Sequence, residues 1–216
     1  SMFDETWSYR SWQKRGDVHT KAMEKLRSLI NVVSHGGNFL LNIGPKGDGS
    51  VVPFEREVLK EIGIWLKKNG EAIYGTEASP FREQFEWGTI TRKGNNLYLI
   101  LSGNRPADDK ITLNIPGCKL QKADIKAIQK GQEMIFTLPA DAYGKDIQVI
   151  CATFDQPVKP QPIAAQRTPN YSYSCFDYYS NYRSTVSYQW SINKSNLNAL
   201  EFTYTPQENG KELLVE

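Results

Sequence analysis

Side chains able to do chemistry are few in this sequence and poorly clustered. The two histidines, His19 and His35, have no Ser, Cys or metal-ligand partner at a spacing that would make a nucleophile–base pair or a metal site. His35 falls at the end of a helical stretch, where partial positive charge suits the dipole, and His19 falls near its start. The cysteines, Cys118, Cys151 and Cys175, are odd in number and lack metal-type spacing, so they read as small buried hydrophobes. Asp48 and the pair Asp108-Asp109 sit in turn sequences, where an Asp side chain bonds nearby backbone. Aromatic residues reach 12%, enough to supply stacking platforms as well as core. Trp87, Trp190 and the cluster Tyr171, Tyr173, Tyr178, Tyr179 and Tyr182 are the candidates for stacking on sugar rings; packing in a β core or on an edge strand is the alternative for each. Two glycosylation sequons, Asn170-Tyr171-Ser172 and Asn193-Lys194-Ser195, are matches of a frequent and weak kind.

The elements that must position these groups follow from periodicity. After an irregular opening over 1–19, apolar residues at Ala22, Met23, Leu26, Leu29, Ile30 and Val33 mark one face of a helix over 20–34, with Lys21, Glu24, Lys25 and Arg27 opposite. Gly36-Gly37 stops it. The run 38–43, almost wholly apolar, predicts a strand buried on both faces. A loop over 44–49 leads to a second helix over 53–68, opened by Pro53 and stopped by Asn69-Gly70. Its inner face reads Phe54, Val58, Leu59, Ile62, Trp65 and Leu66. Helix, buried strand, helix is a piece of α/β architecture.

The texture changes after Gly75. Strands are predicted over 88–92, 97–101, 110–115, 123–128, 134–138 and 147–153, separated by turns such as Lys93-Gly94-Asn95-Asn96 and Lys130-Gly131. Short, regularly spaced strands without helices suggest a β-sandwich over 77–155. Four prolines between 156 and 169 read as a stiff linker. A further β-rich module is expected over 170–216, and the apolar strand at its end suggests a truncated domain. Ser1-Met2 has the look of an expression-tag remnant.

Two stretches carry a specific resemblance. The first is Val33-Ser34-His35-Gly36-Gly37-Asn38-Phe39-Leu40-Leu41-Asn42-Ile43-Gly44-Pro45-Lys46-Gly47-Asp48-Gly49, and the second is Ile62-Gly63-Ile64-Trp65-Leu66-Lys67-Lys68-Asn69-Gly70-Glu71-Ala72-Ile73-Tyr74-Gly75-Thr76. In this order and spacing they resemble the last barrel strand, its loop and the final helix of family 29 glycoside hydrolases, the α-L-fucosidases, in a bacterial, Bacteroides-like form. The fold expected from the resemblance is α/β plus all-β: the end of a (β/α) barrel over 1–76, then a β-sandwich and a partial further β module. In a parallel barrel the active site lies at the C-terminal ends of the strands, here around residues 42–45. Each glycine in these stretches is also explicable as plain turn geometry.

The resemblance implies a retaining exo-hydrolase acting on terminal α-L-fucose of glycans, with no metal or organic cofactor. In such an enzyme an Asp attacks the anomeric carbon, while a Glu protonates the leaving oxygen and later activates water. The Asp nucleophile lies on a mid-barrel strand, upstream of anything in these residues. The acid/base Glu stands ahead of a Ser-aromatic pair that Ser11-Trp12 resembles, by roughly nine or ten residues, which here falls on Met2 or Phe3. Glu5 is the candidate acid/base if a gap displaces it; a solvated loop residue is the alternative. Trp12 resembles the aromatic wall beside the fucose methyl, with packing at a barrel rim as the rival role. With its carboxylate pair incomplete, the chain by itself is expected to be inactive. A non-catalytic carbohydrate-binding β module is the second reading of the chain.

Composition narrows the remaining classes. The 216 residues are 39% hydrophobic and 23% charged, an ordinary globular balance. Net charge is +2, with Lys and Arg scattered among Asp and Glu, so no basic stripe marks a nucleic-acid partner. No apolar run approaches the roughly 18 residues of a membrane-spanning helix. The resemblance favours a periplasmic or secreted parent; the oligomeric state is not legible.

Overall fold

The structure, a computed structural model, describes residues 8–161. Glu5, Cys175, Trp190, the tyrosine cluster, both sequons and the whole of 170–216 lie outside the described residues.

Helix α1 spans Val18–Ser34. The Asp17 carboxylate accepts from the Thr20 amide at 2.7 Å, which satisfies one of the orphan donors of the first turn. At the other end the Gly36 and Gly37 amides donate to the Val33 and Val32 carbonyls, with Gly36 left-handed at φ +78°. That double bond is a Schellman stop, which only glycine adopts at no steric cost. Helix α2 spans Pro53–Asn69, with Pro53 in the first turn and Lys67 and Lys68 in the last.

Seven strands follow: β1 (Thr89–Lys93), β2 (Asn96–Leu101), β3 (Lys110–Asn114), β4 (Leu120–Ala123), β5 (Ala127–Lys130), β6 (Glu133–Thr137) and β7 (Gln148–Phe154). They form two antiparallel sheets, ordered β1-β2-β7-β4 and β3-β6-β5. Gly94-Asn95 and Gly131-Gln132 close two-residue hairpins, with Gly94 and Gly131 at positive φ as such turns require.

The expected strand over 123–128 is two strands. Ala123 ends β4 beside β7, and Ala127 begins β5 in the other sheet. Between them Asp124 holds the corner: its amide donates to the Cys151 carbonyl at 3.0 Å and its carboxylate accepts from the Cys151 amide at 2.9 Å. A chain that changes sheets must break its ladder, and an apolar pattern alone does not announce the break.

Two apolar clusters divide the molecule. One gathers the inner faces of both sheets, including Leu97, Leu99, Leu113, Met134, Phe136, Ile150 and Phe154. The other packs Met23, Leu26, Ile30, Val58, Ile62 and Trp65 of the helices on Tyr98, Ile100 and Ile147. Strand β2 therefore alternates its residues between two cores, and five of its six residues are buried. The strand covered on both faces is β2, and the run 38–43 is not a strand. It makes no ladder among the described residues, and Leu40 is 85% exposed. A buried parallel strand needs hydrogen-bonding neighbours on each side, which hairpin turns cannot supply.

The helix faces came out nearly as the periodicity required. Leu26, Ile30, Val58, Ile62 and Trp65 are buried, and Leu29, Val33 and Leu66 are half-buried. Leu59 and Ile64 face outward. The Trp65 indole donates to the Ile147 carbonyl at 2.8 Å, tying α2 to the chain entering β7.

Candidate functional site

The loop that follows 38–43 is built from both sides. Gly44 is buried, and its amide donates to the Glu55 carboxylate at 2.9 Å. Glu55 is only 1% exposed and lies in the first turn of α2, where the helix dipole favours a negative group. On its other side Gly44 meets the opening segment. A Cβ there would stand 2.8 Å from the Tyr9 nitrogen and 3.1 Å from the Ser8 carbonyl carbon, so only glycine admits this approach. Beyond Pro45 the loop closes on itself: the Lys46 amide donates to the Ser50 carbonyl, and Asp48 accepts from both the amide and the hydroxyl of Ser50. These hydrogen bonds hold the Asp48 carboxyl below its ordinary pKa, the Ser50 hydroxyl first among them. Asp48 is a turn residue, as its sequence context required.

The segment seated on Gly44 carries Trp12. Residues 10–13 form a turn in which the Gln13 amide donates to the Arg10 carbonyl, and the Gln13 side-chain oxygen accepts from the Arg10 amide. Gln13 is buried beneath that turn, and the Arg15 guanidinium lies 5.5 Å from the centre of the Tyr9 ring. Trp12 stands at the tip, 63% exposed. Its ring is left largely uncovered by the described residues.

Glu55 was not singled out by residue type. The signal existed: Glu55, Val58, Ile62 and Trp65 follow the spacing of the buried stripe, so a carboxylate occupies an inner-face position. Sequence could not say which amide it meets.

Trp87 is no stacking platform. It is 8% exposed, lies in the core between the sheets, and stacks on Phe85 with ring centres 5.0 Å apart. Cys118 is buried and Cys151 half-buried, both as free thiols. Burial, the largest cause, raises both thiols above their ordinary pKa, so neither is an activated nucleophile.

His35 caps α1 and contacts the Asn31 carbonyl through Nδ1 at 2.7 Å. His19 is more elaborately held than its sequence context suggests. Its Nδ1 lies 2.8 Å from the Glu61 carboxylate, and its Nε2 lies 3.1 Å from the Lys145 carbonyl and 3.6 Å from Asp146. Both ring nitrogens face acceptors, an arrangement satisfied in full only by the imidazolium. Burial works against the charge, but the Lys145 carbonyl and Glu61 outweigh it, and the His19 pKa is raised. A groove of about 330 Å³ opens beside this cluster, lined by Met23, Trp65 and Lys68 among others. Among the described residues no group of three or more His, Cys, Asp or Glu side chains is placed to hold a metal ion, and no helix is long and apolar enough to cross a membrane.

Comparison with known proteins adds the following. Residues 1–71 match the sequence profile of the alpha-L-fucosidase family. The human tissue alpha-L-fucosidase is 44% identical over 99 residues, which is 44% of this chain and 21% of that protein. The human plasma alpha-L-fucosidase is 34% identical over 135 residues, covering 60% of this chain and 28% of its own length. The chain thus spans between about a fifth and three-tenths of these curated relatives. Among solved structures, a family 29 alpha-L-fucosidase from Bacteroides thetaiotaomicron superposes with a TM-score of 0.58 at 26% identity, covering 69% of this chain and 35% of that one. The same source's enzyme trapped as a covalent intermediate gives 0.55 at 28% identity over 62% of this chain and 32% of that one. Coverage of that extent exceeds the first 76 residues, so the likeness runs on into the β-stranded part.

Proposed function

We propose that this chain, whose residues 1–71 match the α-L-fucosidase family profile, is the C-terminal side of a retaining exo-α-L-fucosidase that releases terminal α-L-fucose from glycans. In this reading residues 1–76 end the catalytic (β/α) barrel and 77–155 are a β-sandwich packed beside it. Residues 156–169 are a linker, and 170–216 begin a further β module.

The observation that carries the reading is the seating of residues 8–9 on Gly44, which sets the segment carrying the exposed Trp12 against the loop that ends the run 38–43. In a parallel barrel such a loop is where substrate binds. The exposure of Leu40 accords with a strand whose neighbours are supplied by the rest of a barrel. Trp12 then offers its ring to the apolar face and methyl group of fucose.

The chemistry asks for two carboxylates and no cofactor. An Asp attacks the anomeric carbon while a Glu protonates the departing glycosidic oxygen, leaving fucose as an ester on the Asp. The same Glu next takes a proton from water, which attacks that carbon and frees the Asp. Glu5 is the candidate for the Glu; the Asp belongs to a barrel strand outside these residues. The trapped covalent intermediate of the Bacteroides thetaiotaomicron enzyme supports a two-step route.

The test has two arms. The purified 216-residue chain should not turn over an aryl α-L-fucoside, whereas the full-length enzyme should. In the latter, Trp12→Ala should cost about 2–3 kcal/mol in kcat/KM, the scale of a lost aromatic wall. Arabinosides lacking the methyl should lose less. Turnover by the chain alone, abolished by Glu5→Gln, would refute its inactivity, and equal losses for both sugars would reduce Trp12 to a structural residue.

The alternative, a carbohydrate-binding accessory module, loses one of its candidate platforms with the burial of Trp87.

A further inference from the structure

The buried carboxylate at the start of α2 takes no part in the chemistry outlined above, yet it is the polar group that reaches the candidate site from behind. Its Gly44 hydrogen bond is 2.9 Å long and enclosed, with Glu55 1% exposed. The partner abuts the opening segment, since any side chain there would strike the Tyr9 and Ser8 backbone. Residues 10–13 are in turn locked by the paired Arg10 and Gln13 contacts, with Gln13 buried. A continuous set of contacts therefore runs from Glu55 through Gly44 and Tyr9 to the turn that displays Trp12.

We infer that Glu55 is a positioning residue, fixing the height of Gly44 and through it the aim of Trp12. The inference rests on the reading of Trp12 given above. Leucine at 55 matches the glutamate in bulk but cannot accept a hydrogen bond, so the Gly44 amide is left buried without its acceptor and the loop must shift to satisfy it. Glutamine keeps an acceptor oxygen at the same reach and restores the loop. A displacement of the order of 1 Å at a substrate-facing ring is enough to change binding and alignment.

Two experiments decide it. In the 216-residue chain, the indole N–H resonance of Trp12, assigned by its loss in Trp12→Phe, and the Gly44 amide resonance should both move in Glu55→Leu. The indole signal should return towards its original position in Glu55→Gln. A Trp12 signal unmoved in a folded Glu55→Leu chain overturns the inference. In the full-length enzyme, Glu55→Leu should raise KM for an aryl α-L-fucoside roughly tenfold, an effect in keeping with a misplaced binding group. Glu55→Gln should stay within about twofold of the parent, and the methyl-free arabinoside should change less than the fucoside. Met134→Ala, a cavity in the distant core between the sheets, controls for destabilisation alone: it should lower the melting temperature and leave KM unchanged. If Leu and Gln at 55 behave alike, or both sugars lose equally, Glu55 is structural only. An unmutated full-length enzyme with no activity on fucosides refutes the function proposed above, and the contact from Glu55 to Trp12 is then decided by the resonance experiment.

Discussion

The run 38–43 and strand β2 are nearly equal in apolar content, yet they have opposite fates. Strand β2 reads Asn-Leu-Tyr-Leu-Ile-Leu and is buried from Leu97 to Leu101, because a two-residue turn delivers β1 to one edge and β7 pairs along the other. The run 38–43 reads Asn-Phe-Leu-Leu-Asn-Ile, finds no ladder among the described residues, and leaves Leu40 in solvent. An apolar pattern thus states a demand for cover without naming the supplier. Antiparallel strands bring a supplier within a few residues, while a parallel strand waits for one brought back by a long crossover.

The two stretches should differ most when buried side chains are removed. Phe136→Ala should cost this chain about 3–5 kcal/mol in urea unfolding, as a fully buried aromatic does. Leu40→Ser in the same chain should stay within about 0.5 kcal/mol of the parent. If the proposed barrel supplies that cover, the Leu40 substitution in the full-length enzyme should become as damaging as other buried-leucine losses, about 2–5 kcal/mol. A large penalty already present in the 216-residue chain would mean that 38–43 has cover of its own.

The junction between the two regions gives the next effect. Trp65→Phe keeps most of the ring but removes the donor to the Ile147 carbonyl, and should cost about 1–3 kcal/mol by the same measurement. A neutral result would show that apolar contact alone binds the helices to the sheet. Smaller again is Asp17→Ala, which removes the α1 cap and should lower stability by less than Trp65→Phe does. Circular dichroism should register it as fraying of α1 with the strand signal unchanged.

The smallest effect is pH-dependent. The His19 pKa is raised in the folded chain, so its contribution is complete below the unfolded value near 6.5 and is lost as pH rises through the folded value. The groups facing it are Asp17 on its own element, Glu61 and Lys68 on α2, and Lys145 and Asp146 before β7. A loss of at most about 1 kcal/mol is expected as pH rises above about 6.5, the scale of partly exposed ion pairs. His19→Gln should flatten that slope; a slope unchanged by the substitution would remove His19 as its source.

Helices and hairpins were readable because their signals are local. The stripe from Ala22 to Val33, the stop at Gly36-Gly37 and the turns at Gly94-Asn95 and Gly131-Gln132 each involve residues a few places apart. The corner at Asp124 was not readable, since Ala123 and Ala127 answer to different sheets and nothing in their neighbourhood says so. Of the candidate site, the motif around Gly44 and the aromatic at Trp12 stood out as residues, but their adjacency did not.

What the sequence alone determined is therefore the inventory: two amphipathic helices, a series of short strands, a glycine-rich loop and a family likeness concentrated before residue 77. Tertiary structure decided which apolar faces meet, that β2 and not 38–43 is the strand with two covered faces, and that Glu55 turns inward to Gly44. It also decided that His19 finds Glu61 and the Lys145 carbonyl, 42 and 126 residues away. The physical reason is range. Capping, turns and periodic burial are set by neighbours along the chain, whereas a buried carboxylate or a doubly bonded imidazole is defined by partners that only the packed molecule brings within 3 Å or so.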